Sequence, residues 1–214
     1  MHRGILFDLD GTLWDTSKQV VTAWNRALKK CPDIDYGITE EEMRGFMGMK
    51  AEEIAPLFFR DVSKDRAIEL LRLCLAEEVR ELSTRGGTLY PHLEETLQVL
   101  SRSYGLAVVS NCQPKYLQAF FDYHKLGGYF TDWECAGRTG LSKGENIRLV
   151  QSRNNMERIV FVGDTQGDCD AAEFAGVPFI HAAYGFGEIS GDGYTRVSYL
   201  NELPLILNHL NDKR

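Results

Sequence analysis

Four short apolar runs punctuate the chain, at residues 4–8, 106–110, 159–163 and 177–182. Each is rich in β-branched or aromatic side chains and apolar on both faces, the pattern of a parallel strand covered by helices on either side. Helical periodicity follows them. Residues 91–102 and 114–123 each open on a proline, which suits a first helical turn. Residues 144–153 form a third helix, and 168–175 a fourth with Gly176 placed to close it. Residues 194–197 read as an edge strand and 200–209 as a closing helix. The alternation predicts an α/β protein with a doubly wound, Rossmann-like parallel sheet.

Residues 17–84 break the alternation, with no strand-like run. Residues 16–30 carry Val20, Val21, Trp24 and Leu28 on one helical side. Thr39 and Glu42 have the spacing of a capping box ahead of a helix at 43–47. Residues 51–59 form a third helix. Ser63 then caps a long fourth one whose apolar stripe is Ile68, Leu71, Leu75, Val79 and Leu82, ended by Gly86-Gly87. The expected organisation is an α/β core of residues 1–16 and 85–214, with a helical cap domain, residues 17–84, inserted after the first strand. There is no internal repeat and no low-complexity tract.

With 214 residues, 43% hydrophobic and 26% charged, the chain can bury a core and is not disordered. Its net charge of −7 opposes binding to nucleic acid or to anionic membranes. No run approaches the roughly 18 apolar residues of a membrane span. Five scattered cysteines, Cys31, Cys74, Cys112, Cys135 and Cys169, offer no zinc spacing. Their odd number and the absence of a signal-like start fit a reducing cytoplasm.

The chemistry sits where the strands end. The first runs into Asp8-Leu9-Asp10-Gly11-Thr12, and the third into Gly163-Asp164-Thr165-Gln166-Gly167-Asp168. Ligands of open α/β sheets bind at the carboxyl ends of strands. Asp8, Asp10, Asp164 and Asp168 therefore converge on one crevice, where hard oxygen ligands suit Mg²⁺. Taken alone, the first motif could be an acidic turn, and Asp168 a helix N-cap. The second strand ends in Ser110-Asn111, a hydroxyl and an amide able to hold phosphoryl oxygens. Lys143 precedes a helix and reads as a charge partner for phosphate. Asp15 reads as a helix cap at the start of the insert. Cys112, beside Asn111, has no base paired with it. His2, His92, His124, His181 and His209 coincide with no motif.

These four motifs, in this order and with the insert after the first, resemble the haloacid dehalogenase superfamily in its helical-cap branch. Within it, Gly185-Phe186-Gly187 is similar to a loop of phosphoglycolate-phosphatase-like members. The resemblance implies that Asp8 is the nucleophile, forming an aspartyl-phosphate, and that Asp10 is the general acid and base. It implies Mg²⁺ held by the Asp8 carboxylate, the Asp10 backbone carbonyl and Asp164, with Asp168 ligating or orienting. Thr12, Ser110, Asn111 and Lys143 become phosphate-binding residues, assisted by the backbone amides of Leu9 and Asn111. Dehalogenases and phosphonate-cleaving members lack an acid at the position of Asp10, so its presence favours phosphate esters.

The expected activity is hydrolysis of a small phosphorylated metabolite, phosphoglycolate-like or sugar-phosphate-like. A sugar phosphomutase of the β-phosphoglucomutase type is the alternative, and a non-catalytic binding protein on the same fold a further one. Residues 44–49 resemble the family's specificity loop. Arg44 could meet a substrate carboxylate or second phosphate, with Trp14, Phe46 and Met47 lining the pocket; packing is the competing reading for these side chains. The partner expected is a small phosphate ester, for a monomer or homodimer.

Overall fold

The computed structural model describes residues 3–191 and 193–212; His2 and the extreme ends of segments 1–16 and 85–214 lie outside them. The elements run β1 (Arg3–Phe7), β2 (Trp14–Asp15), α1 (Ser17–Leu28), α2 (Glu40–Phe46), α3 (Ala51–Phe58) and α4 (Lys64–Arg85). Then come β3 (Thr88–Leu89), α5 (Leu93–Leu100), β4 (Gly105–Ser110), α6 (Pro114–His124), β5 (Asp132–Cys135) and α7 (Ala136–Thr139). The chain continues through α8 (Lys143–Arg153), β6 (Arg158–Gly163), α9 (Gln166–Ala175), β7 (Phe179–Ala182), β8 (Thr195–Val197) and α10 (Leu203–Asp212).

Six strands form one parallel sheet in the order β5-β4-β1-β6-β7-β8. The chain builds outward from β1 through β4 to β5, then returns past β1 to lay down the other half. The crevice of such a sheet lies where that direction reverses, at the carboxyl ends of β1, β4 and β6. Apolar residues of β1, β4 and β6 are buried on both faces of the sheet, in two hydrophobic clusters, as the uninterrupted apolar runs require.

Several elements differ from their sequence reading for identifiable reasons. Strand β5 carries Asp132 and Glu134 and so lacks an apolar run. At the sheet edge these acids pair with Arg153 and Arg138 instead. Helix α5 begins two residues after Pro91, because His92 adopts a left-handed φ of 63° that a right-handed helix cannot include. The cap of α9 is Thr165, not Asp168; Asp168 is its capping-box partner three residues on.

Helices α1–α4 leave and rejoin the sheet side by side. Trp14 and Asp15 of β2 pair antiparallel with Leu89 and Thr88 of β3. Asp15 Oδ1 accepts from the Ser17 backbone N–H at 2.8 Å and from its hydroxyl at 2.6 Å, so Asp15 does secure the start of α1. The Thr39–Glu42 capping box of α2 forms. Helix α4 is rotated from the expected stripe. Leu71 and Leu82 are buried, but Ile68, Leu75 and Val79 are only half-buried. The buried face runs instead through Ala67, Leu70, Cys74, Glu77, Glu78 and Glu81.

Three glutamates can face inward because α1 and the turn after it supply partners. Lys30 Nζ donates to Glu77 at 2.7 Å, Trp24 Nε1 to Glu78 at 2.7 Å and Arg26 to Glu81 at 2.7 Å. Among the described residues no helix is long and apolar enough to cross a membrane.

Candidate active site

The turn after β1 delivers Asp8 and Asp10 into the crevice. Asp8 N donates to Val162 O at 2.8 Å, which extends the β1–β6 ladder by one residue and fixes the first acid at the strand end. Gly11 follows with φ +81°, and a Cβ there would sit 2.1 Å from Asp164 Oδ2, so only glycine fits between the two motifs. Gly185 packs as closely, its missing Cβ 2.3 Å from the Asp164 Cβ. Phe186 N then donates to Asp164 Oδ2 at 2.8 Å, so the Gly185-Phe186-Gly187 loop orients this carboxylate.

Asp8, Asp164 and Asp168 each present an oxygen such that all three lie within 4.8 Å of one another. All three are buried. Lys143 Nζ bridges two of them, donating to Asp8 Oδ1 at 2.8 Å and Asp168 Oδ1 at 2.6 Å. Asp168 Oδ2 accepts from the backbone N–H of Asp164 and Thr165 and from the Thr165 hydroxyl. Its oxygens are thus committed to protein donors. Among the described residues Asp8 Oδ2 has no hydrogen-bond partner. A buried carboxylate oxygen without a donor, beside a second acid, fits a divalent cation. Burial and the neighbouring Asp168 push Asp8 well above the usual carboxylate range, against the pull of Lys143. Burial, then Asp168, raise Asp164 to about 7.

Asp10 stands apart from this trio. Its Oδ1 accepts from the Tyr116 hydroxyl at 2.5 Å and the Thr16 hydroxyl at 3.2 Å. Burial raises its pKa to about 6, opposed by these hydrogen bonds. Tyr116 and Thr16 were not singled out by sequence; a tyrosine in the first turn of the helix after Ser110-Asn111 was the available signal.

The other motif residues divide. Thr12 is fully buried and its hydroxyl donates to Asp164 Oδ1 at 3.2 Å. Ser110 and Asn111 line the crevice with Asp8 and Asp10. Asn111 Nδ2 donates to Gly48 O at 2.7 Å, which latches the helical insert onto the sheet. Cys112 also lines the crevice, and burial and the Cys135 thiol beside it push its own thiol up.

Between insert and sheet lies a cavity of about 590 Å³, its open mouth included. Phe46 and Met47 are in its wall. Trp14 and Arg44 are not. Trp14 is fully buried against Tyr116, Phe120 and His124, where it serves packing. Arg44 is half exposed with its guanidinium 4.0 Å from Asp15. Glu78 of α4 does line the cavity. It went unread because a glutamate inside a long amphipathic helix ordinarily marks the solvated face.

A family model for haloacid dehalogenase-like hydrolases matches residues 5–182. The chain belongs to that family. The phosphoglycolate phosphatase of Salmonella typhi is 27% identical to this hydrolase, over 98% of this chain and 90% of its own length. That of Aquifex aeolicus is 28% identical, covering 88% of each. Among solved structures, the haloacid dehalogenase-like hydrolase from Streptococcus pneumoniae superposes with a TM-score of 0.81 at 22% identity, over 97% of this chain and 98% of that one. CbbY from Rhodobacter sphaeroides, in complex with phosphate, gives 0.80 at 23%, over 95% and 96%. Those structural likenesses establish the fold.

Proposed function

We propose that this hydrolase is a phosphatase that cleaves a small phosphorylated metabolite through an aspartyl-phosphate on Asp8. The observation that carries the reading is the division of labour between two buried acids two residues apart. Asp8 accepts from the Lys143 ammonium, which pulls its raised pKa back toward the ionised, nucleophilic form. Asp10 accepts from two hydroxyls instead, and burial raises it to about 6, near the range where it can both give and take a proton.

Asp8 attacks phosphorus, and the bond from phosphorus to the ester oxygen breaks as Asp10 protonates the departing alcohol. Asp10, now ionised, takes a proton from water as that water attacks phosphorus. The Asp8–phosphorus link breaks and inorganic phosphate leaves. Lys143 offsets charge on the phosphoryl group, while Ser110 and Asn111 offer it a hydroxyl and an amide. Thr12 contributes by fixing Asp164. Asp8, Asp164 and the Asp10 carbonyl would hold Mg²⁺, with Asp168 orienting Lys143 and the Asp164 loop. When bound, the cation supplies positive charge that offsets the phosphate's. Helices α1–α4 act as the cap, shielding the reaction from bulk water.

Phosphate release from p-nitrophenyl phosphate with Mg²⁺ tests this. Asp8→Asn should lower turnover by about 10³-fold or more with the fold intact. Retention of full activity by that variant overturns the mechanism.

A further inference from the structure

The cavity is unusual in its charges. It is where the alcohol part of a phosphate ester would lie, between the sheet crevice and α1–α4. Among the described residues no lysine, arginine or histidine lines it. Its insert side is apolar, with Val20, Phe46, Met47 and Met49. Into this wall α4 projects one carboxyl group, that of Glu78. Glu78 Oε2 accepts from Trp24 Nε1 at 2.7 Å, which fixes the head group. Oε1 takes no hydrogen bond from any described residue, yet is not sealed in the interior as an orphan. Because Glu78 lines the cavity, Oε1 is the atom left to accept or donate one hydrogen bond there.

The neighbouring glutamates of α4 are matched by cations. Glu77 faces Lys30, Arg26 and Arg80, and Glu81 faces Arg26 and Arg85. Glu78 has an indole N–H alone. The titratable groups that bear on it are Asp10, Tyr116 and Cys74, none of them a cation. A substrate bearing a second anion would place it against a carboxyl group, near Asp10, with no positive partner. That is a costly arrangement in a water-poor site. A hydroxyl there gains a hydrogen bond, and unmet polar groups on either side would be penalised.

We infer that Glu78 is a specificity-determining residue, selecting phosphate esters whose alcohol part is uncharged and hydroxylated and rejecting those that carry a carboxylate. The inference rests on the phosphatase reading and deepens it. It separates this chain from the substrate that its relatives' names specify. Burial raises Glu78 to about 8, so near neutrality it is a neutral carboxyl group able to donate as well as accept.

The test compares kcat/KM for glycerol phosphate, phosphoethanolamine, phosphoglycolate and p-nitrophenyl phosphate, with Mg²⁺ and at one pH, in the wild-type protein and Glu78→Gln. Wild type should favour glycerol phosphate over phosphoglycolate by at least about tenfold. In Glu78→Gln the ratio of glycerol phosphate to p-nitrophenyl phosphate should fall about tenfold. A wild-type preference for phosphoglycolate overturns the proposal without any variant. So does a preference for the ammonium of phosphoethanolamine over glycerol phosphate. A Glu78→Gln protein that loses rate equally on all esters shows a structural role and overturns it too. If wild type turns over none of them, p-nitrophenyl phosphate included, the phosphatase reading itself falls, and this proposal with it.

Discussion

Two clusters of buried acids occupy this molecule, and they are built differently. At the sheet ends, Asp8 and Asp168 share one buried ammonium, Lys143, which is itself 5% exposed. On α4, Glu77 and Glu81 are served by cations reaching in from the surface, such as Arg26 at 40% and Lys30 at 63% side-chain exposure. Glu78 between them has only the Trp24 indole. Desolvating a carboxylate costs several kcal/mol unless something answers its charge. The sheet cluster answers with an internal cation, Lys143, which opposes the rise that burial imposes on Asp8 and Asp164. The helical cluster answers at the surface for two acids and leaves the third neutral. The first arrangement suits charged chemistry and the second suits recognition.

The largest test of this contrast is Lys143→Met. It leaves Asp8 and Asp168 buried without their cation, and should cost about 3–5 kcal/mol of stability at pH 8. The loss should shrink at pH 5, where Asp8, already raised by burial, can take up a proton. Chemical denaturation at both pH values reads it, and an equal loss at each would break the comparison.

Next is Glu78→Gln, where the sign reverses. In the unfolded chain this acid titrates near 4.5 and in the folded one at about 8. Below about 4.5 both states hold the proton and the substitution should be neutral. As pH rises toward 8 the unfolded state ionises first, so wild type loses stability that the amide variant keeps. The variant should lead by about 3 kcal/mol at pH 7. Asp10 titrates in the same window in both proteins, so the difference between the two curves reports Glu78 together with its coupling to Asp10. A flat difference would show that the fold does not raise the Glu78 pKa.

Mg²⁺ at 100 times its Kd should stabilise wild type by about 2.7 kcal/mol. The rise should vanish in Asp164→Asn and persist in Glu78→Gln. A persistent rise in Asp164→Asn would move the metal elsewhere. Trp24→Phe has the smallest effect, about 1–2 kcal/mol from an unmet hydrogen bond. It should raise the Glu78 pKa further while leaving the sheet cluster's Mg²⁺ response unchanged.

The same contrast governs how much could be read from sequence. Asp8, Asp10, Asp164 and Asp168 sit at the ends of apolar runs, so their convergence follows from strand periodicity and the rule that places ligands there. Lys143 follows from its place at the start of α8, one residue ahead of Gly144, where the sequence pattern opens that helix. Glu78 and Tyr116 owe their places to the way α4 and α6 pack against distant parts of the chain. Trp24, Arg26 and Lys30 answer the glutamates of α4, and Asp10 and Thr16 answer Tyr116, partners 47–106 residues away in the chain. The apolar stripe of α4 pointed to a neighbouring face because Ile68, Leu75 and Val79 outweigh, in hydrophobicity, the glutamates that are buried in fact. For Trp14 the sequence left pocket wall and packing open, and its pairing with Leu89 turns it into the core.

That pairing has a consequence for how such proteins diversify. The strand that leaves the sheet at Asp15 and the strand that returns at Thr88 are adjacent, so the whole stretch between them is topologically a single loop closed at its base. A different helical unit, or a tight turn, could be spliced there without changing the register of β1, β4 or β6. The acids at the sheet ends would be inherited intact, while the insert's share of the cavity wall would be exchanged in one recombination event.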